Sequence, residues 1–271
     1  MAASTQASLP VASRGTATGS KPWLIGSVSV IALLVLWYVL TEATGVVTGI
    51  QFPSPSDAWD SLTQLLGPGY ADGNLGRHVA SSMTLVLIGF AIAVCTGVPL
   101  GLMMALSRLA DAFFNPVFQL LRPIAPIAWI PLTILWFGLG APAKLFVIWL
   151  ASFAPALINT YTGVRNIDPV VIAAARVHGA RRSDMLFDVI IPAALPTIFT
   201  GLRLSLQACW MVLVAAELVG SITGLGHIMI IATRDLNPGM IFIGMVTVAV
   251  LGVLLTLLLA MVERLVIPWR R

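Results

Sequence analysis

An all-α, polytopic transmembrane bundle of about six spans is the fold class this sequence predicts. Three observations carry it: scarce charge, apolar runs long enough to cross a bilayer, and a lopsided distribution of arginine. Of 271 residues, 58% are hydrophobic and 10% charged, with a mean hydropathy of +0.97. Soluble domains carry about 25% charge because their surface must be wetted. A chain this poor in charge needs lipid as solvent for much of its length. The net charge of +4 does not imply nucleic acid, because the 15 basic residues form no stripe and follow a topological pattern instead.

Residues 1–22 are rich in Ala, Ser, Thr, Gly and Pro, with Arg14 and Lys21 as the only charges. They cannot bury a core and are expected to form a disordered cytoplasmic tail, leaving 23–270 as the membrane-spanning domain. The apolar run from Trp23 to Leu40 exceeds the roughly 7–15 residues of a signal-peptide core, and no Ala-x-Ala cleavage site follows it. It reads as the first span. A helix needs about 20 apolar residues to cross the bilayer core, which predicts spans near 23–42, 79–106, 114–138, 143–164, 193–220 and 240–267. The breaks are 43–78, with turn signals at Pro53-Ser54-Pro55 and Gly67-Pro68-Gly69, the charge-rich 165–192, and the short 221–239.

With a cytoplasmic N-terminus, the inner segments hold Arg14, Lys21, Arg108, Arg165, Arg176, Arg181, Arg182, Arg264, Arg270 and Arg271. The outer ones hold only Arg77, Lys144 and Arg234. Arg122 and Arg203 fall within spans near their inner ends. Ten against three predicts both termini on the inside. Cys95 and Cys209 sit in apolar runs and read as small buried hydrophobes.

In the second span Gly89, Ala93, Gly97, Gly101 and Ala105 recur every four residues, a face on which two backbones can approach closely in lipid. Pro99 interrupts that helix's hydrogen-bond ladder. The third span holds Pro116, Pro123, Pro126 and Pro131. Each alone reads as a kink, but four in sixteen residues favour a segment lining a path, where broken backbone is tolerated at membrane depth. Pro126, Trp129, Pro131 and Trp136 are therefore candidate path residues. Glu217, the one acid well inside an apolar run, must face protein or water. It can hold the fold by bonding backbone or an indole N–H, line the path near its outer mouth, or touch solute.

The 165–192 segment is expected to form a helix–turn–helix. Asp168 caps a helix with Pro169 at its first position, and Gly179 ends it in a left-handed turn. Ser183 caps a second short helix that Pro192 closes. Such a unit either lies among the lipid headgroups or docks into a partner's groove. The defined glycine turn and the short alanine-rich helix suit a docking knob better.

That segment resembles the cytoplasmic loop of binding-protein-dependent ABC importer permeases, whose pattern is Glu-Ala-Ala, three residues, Gly, nine residues, then Ile-x-Leu-Pro. The chain offers Ala173-Ala174-Ala175, then Gly179, then Val189-Ile190-Ile191-Pro192 at the same spacing. Ala173 stands where the family usually has glutamate. Pro126-Ile127-Ala128-Trp129-Ile130-Pro131-Leu132, Trp136-Phe137-Gly138, Gly201-Leu202-Arg203, Ala215-Ala216-Glu217 and Gly224-Leu225-Gly226 are similar to the taurine, aliphatic sulfonate and nitrate branch. The resemblance covers roughly residues 23–270.

It implies a permease subunit in the bacterial inner membrane that pairs with a second copy as a homodimer. Two cytoplasmic ATPase subunits would bind ATP and Mg, and an extracytoplasmic binding protein would deliver a taurine- or sulfonate-like anion, or another small anion. Ala173, Ala174, Ala175, Arg176, Gly179, Arg181 and Pro192 would couple the chain to the ATPase. The chain itself is expected to need no cofactor, metal or catalytic residue, since it has no Gly-x-x-x-x-Gly-Lys-Ser/Thr to cradle phosphates. An ion-gradient-driven transporter is the alternative, but such proteins usually place several ionisable groups at mid-membrane. An enzyme is disfavoured. His78, His178 and His227 fall in three segments, two of them on opposite sides, and each reads as a solvated loop histidine.

Overall fold

The computed structural model describes residues 22–43 and 52–268; the tail read at 1–22 lies outside them apart from Pro22. No β-strand occurs among the described residues. The first helix, α1 (Pro22–Tyr38), widens into a π-type turn over Val39–Ala43. Its side chains from Val28 to Leu36 are exposed, as suits a helix facing lipid. Trp37 anchors it: the indole N–H donates to the Pro53 carbonyl at 2.9 Å, and the ring lies 5.0 Å from that of Phe242.

The polar stretch after it is not merely loop. It holds α2 (Pro55–Leu66), opened by a capping box: the Asp57 N–H donates to Ser54 Oγ at 3.1 Å and the Ser54 N–H to Asp57 Oδ2 at 3.0 Å. Helix α3 (Leu75–Leu106) starts four residues earlier than expected and runs through Pro99 without ending. Its glycine face does pack: Gly89, Ala93, Gly97 and Gly101 are buried against α6 (Ala141–Arg165). A Cβ at Gly101 would stand 2.7 Å from the Leu157 carbonyl oxygen, and one at Gly97 3.1 Å from that of Phe153, so only glycine permits this approach.

The expected single span at 114–138 is corrected to a broken one. Helix α4 (Arg108–Leu121) and the segment Pro126–Phe137, a 3-10 turn followed by α5 (Ile130–Phe137), are bent by 84°. Pro123 and Pro126 cannot donate ladder bonds, and each pushes its preceding residue out of the helical region. Four other described helices are long and apolar enough to cross a membrane, or five spans if the bent pair counts as one. α1 falls just short of that length.

Beyond α6 come α7 (Pro169–Val177) and a single turn, α8 (Arg182–Asp184). Pro192 does not close the second short helix. The chain passes through a π-type stretch, Met185–Ile190, into α9 (Ile191–Gly220). Pro192 has no N–H for the Asp188 carbonyl and its ring crowds that turn, so the ladder widens locally instead of stopping. The break at 221–239 contains a short helix, α10 (Leu225–Arg234), whose Leu225, Ile228 and Ala232 are fully buried. Helix α11 (Pro238–Val266) ends the described chain, tied to α9 by the Arg203–Glu263 ion pair at 3.2 Å. Leu85, Val86, Ile148, Leu213 and Met240 form the centre of the core, between α3, α6, α9 and α11.

Candidate functional site

The 165–192 segment is built as a protruding knob. Asp168 Oδ1 accepts from the Val170 N–H at 2.8 Å and starts α7. At its other end Gly179 has φ +77°, its N–H donates to the Arg176 carbonyl at 3.0 Å, and the Ala180 N–H reaches the Ala175 carbonyl at 3.1 Å. Those two bonds complete a Schellman motif, which requires a left-handed residue at that position. Arg181 follows in extended backbone, and its N–H donates to Asp184 Oδ2 at 3.1 Å. Asp184 thus supplies the cap expected from Ser183, whose hydroxyl instead donates to Asp184 Oδ1.

Ala173, Ala174, Arg176, Gly179 and Arg181 are exposed, while Ala175 and Pro192 are partly covered. Val170 and Val177 are 71% and 85% exposed, so the knob presents apolar side chains among arginines. Its base is fixed. Met185 and Ile190 pack with Val164, Ala194 and Ile198. Arg165 pairs with Asp111 at 2.6 Å, and the Tyr161 hydroxyl donates to the same carboxylate at 3.2 Å. That Asp111 cluster joins α4 to the start of the knob, and sequence reasoning missed it because the partners lie about 50 positions apart.

Two of the candidate path residues, Pro126 and Trp129, line a cavity of about 460 Å³ together with Arg122, Phe153, Pro155 and Asn159. Its walls come from the α4–α5 bend, α6 and Leu204 of α9. Pro131 and Trp136 are exposed further along α5, and the Trp136 ring stands 6.5 Å from Trp129 and 6.2 Å from Phe146.

Residues 97–271 match the family described as "Binding-protein-dependent transport system inner membrane component". The chain belongs to this family. The taurine transport system permease protein TauC of Escherichia coli K12 is 37% identical over 90% of this chain and 88% of that protein. A putative aliphatic sulfonates transport permease of Bacillus subtilis 168, SsuC, is 32% identical over 92% of this chain and 88% of its own length. The nitrate import permease NrtB of a Synechocystis strain is 32% identical over 89% and 88%. Among solved structures, the MetNI methionine ABC transporter in an inward-facing conformation shares the fold, at 19% identity and a TM-score of 0.60. That match covers 71% of this chain and 95% of that one. The molecule is thus a membrane-spanning permease subunit of an ABC importer.

In this permease Glu217 lies away from the cavity lined by Pro126 and Trp129. It is fully buried where α3, α9 and α10 meet. Both its oxygens accept from the Ser82 hydroxyl, at 2.8 and 3.0 Å, and Oε2 also accepts from the Gly226 N–H at 2.8 Å. Ser82 Oγ in turn accepts from the Leu225 N–H at 2.9 Å. The carboxylate therefore holds the first amides of α10, donors that have no helical acceptor. No indole is involved. Gly224 has φ +131°, and any Cβ there would collide with the Glu217 carboxylate.

His78 is fully buried, not solvated. Its Nε2 faces the Tyr70 carbonyl at 3.0 Å and its Nδ1 faces the Gly224 N–H at 3.1 Å. A carbonyl only accepts and an amide only donates, which places the ring proton on Nε2. The His227 ring stacks 6.5 Å from it. No cluster of metal-ligating side chains occurs among the described residues. Lys144 Nζ donates to Ser221 Oγ at 2.7 Å and secures the other end of the 221–226 turn. Sequence reasoning singled out Glu217, read His78 as solvated and Lys144 only as a topological charge, and passed over Ser82.

Proposed function

We propose that two copies of this permease pair around a central path in the inner membrane, with both chain ends and the knob on the cytoplasmic side. Two ATPase subunits holding ATP and Mg seat the knob, and an extracytoplasmic binding protein delivers a small sulfonate such as taurine. The observation that carries this reading is the knob itself. Residues 169–186 form a glycine-turned projection that exposes Val170 and Val177 beside Arg176 and Arg181. An apolar anchor rimmed by cations is the surface expected of a helix that inserts into a protein groove. The sulfonate assignment rests on the taurine and aliphatic sulfonate permeases, similar to this chain at 37% and 32% identity. The test is to produce the permease with its ATPase and binding protein, purify by a tag on the permease, and reconstitute into liposomes. Co-purification of the ATPase, with ATP hydrolysis stimulated by taurine-loaded binding protein, is the expected result. A permease that never retains an ATPase refutes the docking, and hydrolysis that responds to nitrate but not to taurine or alkyl sulfonates refutes the solute.

A further inference from the structure

Several charged residues of the membrane-embedded part are paired. Arg165 pairs with Asp111, Arg203 with Glu263, Lys144 with Ser221, and Glu217 with Ser82 and Gly226. Arg122, on the cavity lining, has no hydrogen-bond or ion-pair partner among the described residues, and its side chain is exposed. It stands at the C-terminal end of α4, where the helix breaks before Pro123, and it lines the 460 Å³ cavity.

The depth of that cavity follows from α6. This 25-residue helix is about 37 Å long at 1.5 Å per residue. The cavity touches it from Leu150 through Phe153 to Asn159, so it brackets the middle of the span. Headgroup phosphates lie at the ends of such a helix and do not reach that depth. An unpaired cation on the lining of such a cavity is by default a functional group. The cavity's volume falls in the range of about 300–1,000 Å³ typical of small-molecule sites.

Its remaining walls are apolar and aromatic, from Phe118, Trp129 and Phe153, with two acceptors among them. Asn159 spends its Nδ2 on the Pro155 carbonyl at 2.9 Å, which leaves its Oδ1 as an acceptor. Ala151 lines the cavity, and its carbonyl cannot receive the usual helical bond from Pro155, which has no N–H. One forked cation among apolar walls and a few acceptors suits a small organic oxoanion whose other end donates hydrogen bonds.

We propose that this cavity is a transmembrane station for the imported sulfonate, with the Arg122 guanidinium receiving its oxygens. The assignment rests on the anionic solute proposed above.

The test uses the complete reconstituted transporter and radiolabelled taurine and ethanesulfonate, reading solute moved per ATP hydrolysed. Arg122→Gln removes the charge, Arg122→Lys keeps it, and Ala154→Asp sets a carboxylate in the same cavity to neutralise Arg122. Losing one charge-assisted contact is expected to lower transport per ATP about tenfold or more in Arg122→Gln and Ala154→Asp. Arg122→Lys should retain most of the wild-type ratio. If Arg122→Gln does not assemble, Ala154→Asp decides alone. A wild-type ratio in either charge-removing variant overturns the site while leaving the sulfonate reading intact. So does an equal loss in Arg122→Lys, which would mark a geometric role. A wild-type complex that moves neither anion overturns both.

Discussion

Gly179 is the residue on which the knob's aim depends. No atom lies within 4 Å of the place a Cβ would take there, so a side chain meets no neighbour and the penalty is purely conformational. A non-glycine residue in the left-handed region costs roughly 1–2 kcal/mol, more when β-branched. Gly179→Val should leave the permease in the membrane and abolish solute-stimulated ATP hydrolysis and uptake, whereas Gly179→Ala should keep a fraction. Normal uptake by Gly179→Val in membrane vesicles would show that the turn does not set the coupling geometry. The other decisive residue pair is Gly224 with Glu217. Alanine at Gly224 collides with the carboxylate and adopts a forbidden φ, while Glu217→Gln keeps the shape and forfeits one or two hydrogen bonds worth about 1 kcal/mol each. Thermal unfolding in detergent should therefore show a larger fall in Tm for Gly224→Ala than for Glu217→Gln; the reverse order contradicts the clasp. Glu217 was legible as an acid that could not face lipid. Its partner Ser82 was not, because 135 residues separate them and a lone serine in an apolar run carries no signal.

At the scale of elements, the glycine face of α3 was readable because a period of four residues names one side of a helix and small residues name close approach. Gly101→Leu should separate α3 from α6 and destabilise the protein by on the order of 1–3 kcal/mol or more through overpacking. The check is a lower Tm and a lower yield of monodisperse protein; an unchanged Tm would mean that the two helices do not meet there. The bend between α4 and α5 was only half legible. Pro123 and Pro126 marked a break, but average hydropathy over 114–138 is blind to direction, and a run of apolar residues reads as a span whether straight or folded by 84°. Helix α10 escaped because ten residues cannot span a bilayer. It is buried by Leu225, Ile228 and Ala232 packing into the core and capped by the Glu217 clasp, which no local pattern announces. The knob's second helix was misread at Pro192 for a different reason: a proline two residues into α9 widens a ladder that tertiary packing of Ile190 and Ala194 keeps going.

Across the whole molecule, the breaks at 43–78 and 221–239 meet at one end. The Tyr70 hydroxyl donates to Asp235 Oδ2 at 2.6 Å. Partial burial, and then this bond, hold the phenol above its ordinary pKa, so Tyr70 keeps its proton and stays the donor in this pair near neutral pH. The knob lies at the other end, after the full length of α6 and before that of α9. With six crossings, an impermeant thiol reagent added outside should label Gly76→Cys and Arg234→Cys but not Arg182→Cys. Labelling of Arg182→Cys would invert the arrangement and move the knob away from any cytosolic ATPase. The central claim, that the knob is where the energy enters, is tested most directly by a photocrosslinking residue at Val177, with one at Ile222 as control; they are 85% and 81% exposed at opposite ends. Irradiation of membranes containing permease, ATPase and binding protein should join Val177 to the ATPase, in an adduct of summed mass, and never join Ile222 to it. Absence of the Val177 adduct, in a complex that hydrolyses ATP in response to solute, would contradict the account.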